Sequence, residues 1–290
     1  MLKLYTDSDT DVTPKVAAQH GYSGYISMPY SVDAKTIYPY VDFETFDCHG
    51  FYEMLRGGVL PTTSAISKER YVEYFEKDFA DGNDILYVHF SRAMTATFDA
   101  MDQAIAELKA KYPGVRFEEI DCKGITTICY PIVCKAGDMA LAGKSLDEIL
   151  AWAREDVDHW AMYFFADDLK FFRRSGRVSG IAATMGTLIG LRPIIYMSPE
   201  GKMVSKGTEK GRAKAMNRLM NEVLEKGLDV KENGLYIGHT DAPEFARQLG
   251  DMLREKLGAD LPITFVECNP TAGSHAGPNG VGVCFHAKER

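Results

Sequence analysis

The sequence predicts an α/β fold divided between two domains. Short apolar runs alternate with longer amphipathic ones, the strand–helix alternation of that class. The 290 residues amount to about two domains of ordinary size. Hydrophobic residues make up 46% and charged residues 26%, a globular composition that excludes a wholly disordered chain. Two such domains can each bury a core and leave a cleft between them.

Taken in order, residues 3–6 and 85–90 are the first strand candidates, short and rich in Tyr, Ile, Val and Phe. A helix over residues 99–111 follows and stops before Pro113-Gly114, after which residues 116–120 read as a strand. Ser145-Leu146-Asp147-Glu148 has capping-box spacing, and Leu146, Ile149, Leu150 and Ala153 then recur at helical intervals. The glycine-rich stretch 175–190 interrupts the alternation, and a domain seam is placed near residue 160, giving domains 1–160 and 161–290. Beyond it come a strand over 193–197 and a helix over 212–226 that ends at Gly227, then a strand over 235–238. Asp241-Ala242-Pro243-Glu244 reads as a second capping box, with Pro243 in the first turn where its missing N–H costs nothing. Strands over 263–267 and 281–286 complete the series.

The bulk charge narrows the function. A formal net charge of −8 repels a phosphate backbone, so nucleic acid is not expected as a partner; the basic run 170–177 reads as a solvated face. Cys48, Cys122, Cys129, Cys134, Cys268 and Cys284 form neither a Cys-x-x-Cys pair nor a zinc pattern. The opening residues lack signal-peptide character, and no uncharged apolar stretch approaches the length of a membrane span. Reduced cysteines in a cytoplasmic protein without stable membrane insertion are the expectation.

Four polar segments fall at strand ends or in tight loops. Thr6-Asp7-Ser8-Asp9 is read as an Asx turn capping the next element. Pro61-Thr62-Thr63-Ser64 precedes a helix starting near Lys68, where hydroxyls are ordinarily caps but could also face an anionic head group. Ser91-Arg92-Ala93-Met94-Thr95-Ala96-Thr97 joins a strand to a helix, exposing N–H groups and the positive helix end to an anion. It lacks the lysine of a Walker loop. The last segment places His275 between Gly273 and Gly277, which let the backbone approach a ligand closely and keep a binding role open beside a structural one. No Gly-x-Ser-x-Gly elbow, paired carboxylates or Cys/His nucleophile can be read from the chain. Residue patterns alone point to an anion-binding pocket.

In this order the segments resemble the DegV family over essentially the whole chain. The matching pieces are Thr6-Asp7-Ser8, Pro61-Thr62-Thr63-Ser64, the Ser91-to-Thr97 loop, Ser175-Gly176-Arg177-Val178-Ser179 with Gly190-Leu191-Arg192-Pro193, the helix start Lys210-Gly211-Arg212-Ala213-Lys214-Ala215, and Gly273-Ser274-His275-Ala276-Gly277-Pro278. The resemblance implies a mainly parallel sheet flanked by helices, a smaller α/β C-terminal domain, and a long-chain fatty acid buried between them. It implies no cofactor beyond that ligand. It further implies a carboxylate held by Thr62, Thr63, Ser91, Arg92, Thr95, Ala96 and His275, with Arg212 and Arg177 at the rim. The rim would face a separate ATP-binding kinase subunit that phosphorylates the acid for phospholipid synthesis. The chemistry is consistent: an ionised carboxylate must be met by donors when buried, and hydroxyls and a ring N–H supply them. A tail of ~16 carbons at roughly 0.8 kcal/mol per buried CH₂ gives a gross drive of about 12 kcal/mol, less ordering costs.

Several positions depart from the family pattern. Arg92 stands where the family loop has serine, Ala96 where it has glycine, and Ala276 where the histidine loop has threonine. Arg92 could pair with the carboxylate or turn away to an acidic side chain. Two rival readings stand beside the fatty-acid-presenting protein: a stand-alone acyl or phosphate-ester enzyme using Thr63, Thr95 and His275, and a lipid carrier or sensor with no kinase partner. The acidic surface and two self-sufficient domains predict a monomer that is not itself an enzyme.

Overall fold

The computed structural model describes residues 1–40, 46–175, 178–179 and 190–290. The N-terminal half runs β1 (Leu2–Asp7), α1 (Pro14–Gln19), β2 (Gly24–Ile26), β3 (Tyr30–Val32), β4 (Lys35–Ile37), α2 (Cys48–Arg56), β5 (Thr62–Thr63), α3 (Lys68–Ala80), β6 (Asp84–His89), α4 (Thr97–Lys111), β7 (Phe117–Asp121), α5 (Cys129–Leu141) and α6 (Leu146–Asp156). The C-terminal half runs β8 (Trp160–Phe165), α7 (Lys170–Ser175), β9 (Val178–Ser179), β10 (Leu191–Met197), β11 (Met203–Lys210), α8 (Arg212–Lys226), α9 (Val230–Asn233), β12 (Leu235–His239), α10 (Pro243–Leu257), β13 (Ile263–Glu267), α11 (Pro270–Ala276) and β14 (Val281–His286).

The first sheet has the order β2-β1-β6-β7, with all neighbours parallel. Its central strands are covered on both faces, which is why β6 reads as a nearly unbroken apolar run, with Ile85, Leu86, Tyr87 and Val88 all buried. Parallel strands place their carboxyl ends on one edge, so the loops after β1 and β6 emerge side by side. That edge is where ligands of such sheets bind. A small three-stranded sheet, β4-β3-β5, carries Thr62 and Thr63 beside it.

The second sheet has the order β13-β12-β14-β8-β10-β11-β9 and is mainly antiparallel. Its strand β8 has no counterpart in the sequence reading, and its two faces serve two cores. Ala161, Tyr163 and Phe165 join a cluster with Leu219 of α8 and Leu249 of α10; Trp160, Met162 and Phe172 join the core of the N-terminal half. A strand buried on both sides shows no polar alternation. The second sheet begins at Trp160. The helix starts differ in an informative way. Ser145 and Glu148 form the expected reciprocal capping box. At α10 the N-cap is Ala242 with no side-chain cap, because the Asp241 carboxylate is instead bound by His49 and Arg56 of α2. That is a correction to the capping box read at Asp241.

Candidate functional site

Between the carboxyl edge of the parallel sheet and the inner face of the second sheet lies a cavity with about 1010 Å³ of empty space, partly open to solvent. Its large apolar wall residues are chiefly methionine and phenylalanine, among them Met28 and Phe90 from the N-terminal half and Met162, Phe164, Met197 and Met203 from the second sheet. Unbranched thioethers with rings between them suit a long flexible apolar chain, because methionine fills irregular space.

Polar groups also line the wall. Thr63 on β5 and His275 in the last turn of α11 meet, with Thr63 Oγ1 2.9 Å from His275 Nε2. Ser64 and Thr95 line the same space. Thr95 Oγ1 accepts from the Thr97 N–H at 3.1 Å, which leaves its hydroxyl hydrogen to point elsewhere. Ala96, the N-cap of α4, supplies no capping side chain, so the first turn of that 15-residue helix lacks a side-chain acceptor at its N-cap. Thr97 holds the neighbouring loop in place, its hydroxyl accepting from the Ile66 N–H at 3.0 Å.

The position of His275 is set from the other half of the molecule. Asn269 caps α11 by accepting from the Ala272 N–H, and it donates from both its backbone N–H and its side-chain amide to Asp11 Oδ1, at 2.9 and 2.8 Å. Tyr52 donates to the Cys268 carbonyl at 2.8 Å, and Thr271 to the Met28 carbonyl at 2.7 Å. Gly273 passes so close to Tyr52 that a Cβ there would lie 2.5 Å from the phenolic oxygen, while Gly277 turns the chain at φ +72°. These two glycines are needed for close packing and for the turn.

Under these contacts lies a run of buried acids, Asp7, Asp9 and Asp11. Burial pushes Asp7 up to about 6, against the charge of His89 and donors from Tyr87, Phe90 and Asp9. Asp11 is pushed up to about 7 by burial, with the Asn269 and Thr127 donors pulling the other way. Asp9 lies well above the ordinary carboxylate range through burial and the neighbouring Asp7 and Asp11 charges. Asp7 accepts from the Asp9 N–H at 2.9 Å, the Asx turn read from the sequence.

The remaining predicted residues fall around this centre. Ser91 is buried, accepts from the Ala93 N–H and does not line the cavity. Arg92 takes the second of its two courses: its guanidinium is held by Glu119 at 2.7 Å and Asp102 at 2.8 Å, over the Phe98 ring. Burial alone would raise Glu119, but the Arg92 guanidinium bonded to it and the His89 imidazole 3.6 Å away hold it at about 2. Thr62 pairs with Ser31 across the small sheet, and neither it nor Ala96 lines the cavity. Arg212 opens α8, donates to Asp167 at 3.0 Å and stacks on Phe245 at 3.7 Å. Asp167 also holds Arg192, and none of the three lines the cavity. Arg177 lies outside the described residues. Sequence reasoning missed Asp9 as a wall residue and all of the methionine wall; the unbroken apolar run of Trp160–Phe165 was the available signal for part of it. No helix among the described residues is long and apolar enough to cross a membrane.

Comparison with known proteins places these features in a family. The model of the DegV family, described as an uncharacterised protein, matches residues 1–288. A DegV domain-containing protein of Clostridium perfringens is 31% identical over 283 residues, spanning 97% of this chain and 96% of its own. Among solved structures, a stearic-acid-binding protein from Eubacterium ventriosum is similar with a TM-score of 0.86 at 20% identity, covering 99% of each chain. A DegV family protein from Thermus thermophilus, described by its fatty acid binding, gives 0.82 at 22% identity, again over 99% of each.

Proposed function

The chain belongs to the DegV family, and from that premise we propose that it buries a long-chain fatty acid in the methionine-lined cavity and presents its carboxylate at the Thr63–Thr95–His275 wall. The observation that carries this reading is the cavity itself: a mainly apolar space between the two halves with the Thr63–His275 pair and Thr95 on its wall. A fatty acid at neutral pH is a carboxylate joined to an apolar chain, and each part finds its complement. The Thr95 hydroxyl and the N-terminus of α4 add donors and a positive dipole for the anion.

The reading extends to what becomes of the acid. A carboxylate needs no general base to attack a phosphoryl group, so a partner bringing Mg-ATP would transfer the γ-phosphoryl to one carboxylate oxygen, releasing ADP and leaving an acyl-phosphate. Arg212, held by Asp167 at the start of α8, is the residue proposed to face that partner. Native mass spectrometry of the purified protein, followed by solvent extraction, tests the first claim. A stoichiometric adduct of fatty acid mass is expected; a protein that is empty and takes up no added C14–C18 acid overturns it. Arg212→Ala tests the second. It should keep the adduct while phosphorylation by the kinase subunit falls at least 100-fold, and an undiminished rate removes Arg212 from that role.

The Thr63–His275 contact also supports a second reading, in which the hydroxyl is activated by the imidazole for acyl transfer. Turnover of an acyl ester by the protein alone, lost in Thr63→Val, would favour it over presentation.

A further inference from the structure

The wall that receives the tail is not wholly apolar. Asp9 lines the cavity, is 4% exposed, and its Oδ1 is buried with no hydrogen-bond partner among the described residues. The neighbouring donors are committed elsewhere. Thr127 donates to Asp11 at 3.2 Å, Thr271 to the Met28 carbonyl at 2.7 Å, and Thr126 to the Ile125 carbonyl. The Asp9 backbone N–H is taken by Asp7. The acid therefore lines the cavity with one carboxyl oxygen, Oδ1, unpaired. An unpaired buried carboxyl oxygen is destabilising, and against a purely hydrocarbon ligand that cost would remain.

Resting on the fatty-acid reading above, we propose that the ligand carries a hydroxyl group along its chain and that Asp9 binds it, making this a site for a hydroxylated long-chain acid. An alcohol offers one donor and two acceptor positions, and a neutral carboxyl offers an acceptor and a donor, so the two pair reciprocally. Burial beside Asp7 and Asp11 favours that neutral form. A saturated chain would leave Oδ1 unmet, whereas a keto group has no hydrogen to offer an acceptor. Sites that hydrogen-bond a ligand hydroxyl discriminate strongly against the analogue lacking it, because their own polar group is stranded.

The test is a competition assay against a fluorescent fatty acid, with stearate and its 3-, 10- and 12-hydroxy derivatives as probes. At least one positional isomer should bind wild-type protein tenfold or more tightly than stearate. Asp9→Val, of similar volume, should abolish or invert that preference while stearate binds as well or better. Asp9→Asn, which still donates and accepts, should retain most of it. If every isomer binds no better than stearate to the wild type, the inference is overturned, as expected if a water molecule satisfies Asp9. A preference that survives in Asp9→Val overturns it equally. Failure of stearate and all three derivatives to bind would overturn the fatty-acid reading itself, which separates the two.

Discussion

Two loops leave the same edge of the parallel sheet and use their polar groups in opposite ways. The loop after β1 is wholly buried, and two of its three acids are spoken for: Asp7 accepts from Tyr87, Phe90 and Asp9, and Asp11 from Asn269 and Thr127. The loop after β6 is mixed in exposure; Arg92 reaches outward to Asp102 and Glu119 while Thr95 faces the cavity. The first loop is a weld between the halves, the second a lip of the site. Local sequence does not distinguish them, since both are short, polar and follow a strand. What distinguishes them is what lies opposite: the capped end of α11 for one, open volume for the other.

Breaking the weld should give the largest effect. Asp11→Ala removes the acceptor of three buried donors, the Asn269 N–H, the Asn269 amide and the Thr127 hydroxyl. Stranding them should cost about 3 kcal/mol or more in stability, read as a shift in urea denaturation midpoint without ligand. Because α11 also carries His275, fatty acid affinity should fall with it. A loss below about 1 kcal/mol would mean that the two halves are held by other contacts and that the weld is not where it is drawn.

The same acids set a pH dependence that sharpens the contrast. Asp7 at about 6 and Asp11 at about 7 lie above the unfolded carboxylate value of roughly 3.9, so the folded state binds more protons in between. Their contribution is fully present below about pH 4 and is lost as pH rises through about 6 and 7. Glu119 acts in the opposite sense, but its folded value of about 2 confines its window to pH below the ordinary glutamate range. Ligand-free protein should therefore lose stability from pH 4.5 to 7.5, and Asp7→Asn should flatten the part of that slope below pH 6 by about 1–2 kcal/mol. Stability that rises with pH across this window would show that the loop's acids are ionised in the folded state.

How far the sequence reveals this molecule depends on whether the signal is local. Strands 263–267 and 281–286 and helix 212–226 are bounded by turn residues and emerge with the limits read from them. Strand β8 was not legible because an unbroken apolar run that follows a helix carries no period of two. The capping box at Asp241 failed for a tertiary reason: Arg56, distant in sequence, supplies a charged partner that the helix N–H groups cannot match. At the site, Thr63, Thr95 and His275 were legible because each sits in a compact polar motif. The methionine wall was not, since Met28, Met162 and the β10–β11 pair Met197 and Met203 come from three separated segments and each alone reads as core.

Arg92 gives the smallest expected effect and the sharpest test of the lip. A cation beside a carboxylate site invites a head-group role, yet its guanidinium already lies against two carboxylates, with Glu119 at 2.7 Å and Asp102 at 2.8 Å. Turning it toward a ligand would break both pairs and leave the partly buried Glu119 with only His89 beside it at 3.6 Å. The fatty acid would have to repay that cost before gaining anything. Arg92→Ala should therefore leave fatty acid affinity within about twofold, while stability falls by about 1 kcal/mol, as partly exposed pairs allow. A tenfold loss of affinity with unchanged stability would reverse the assignment. The loop would then rearrange on binding, and Arg92 would move from the outer support of the lip to the carboxylate itself.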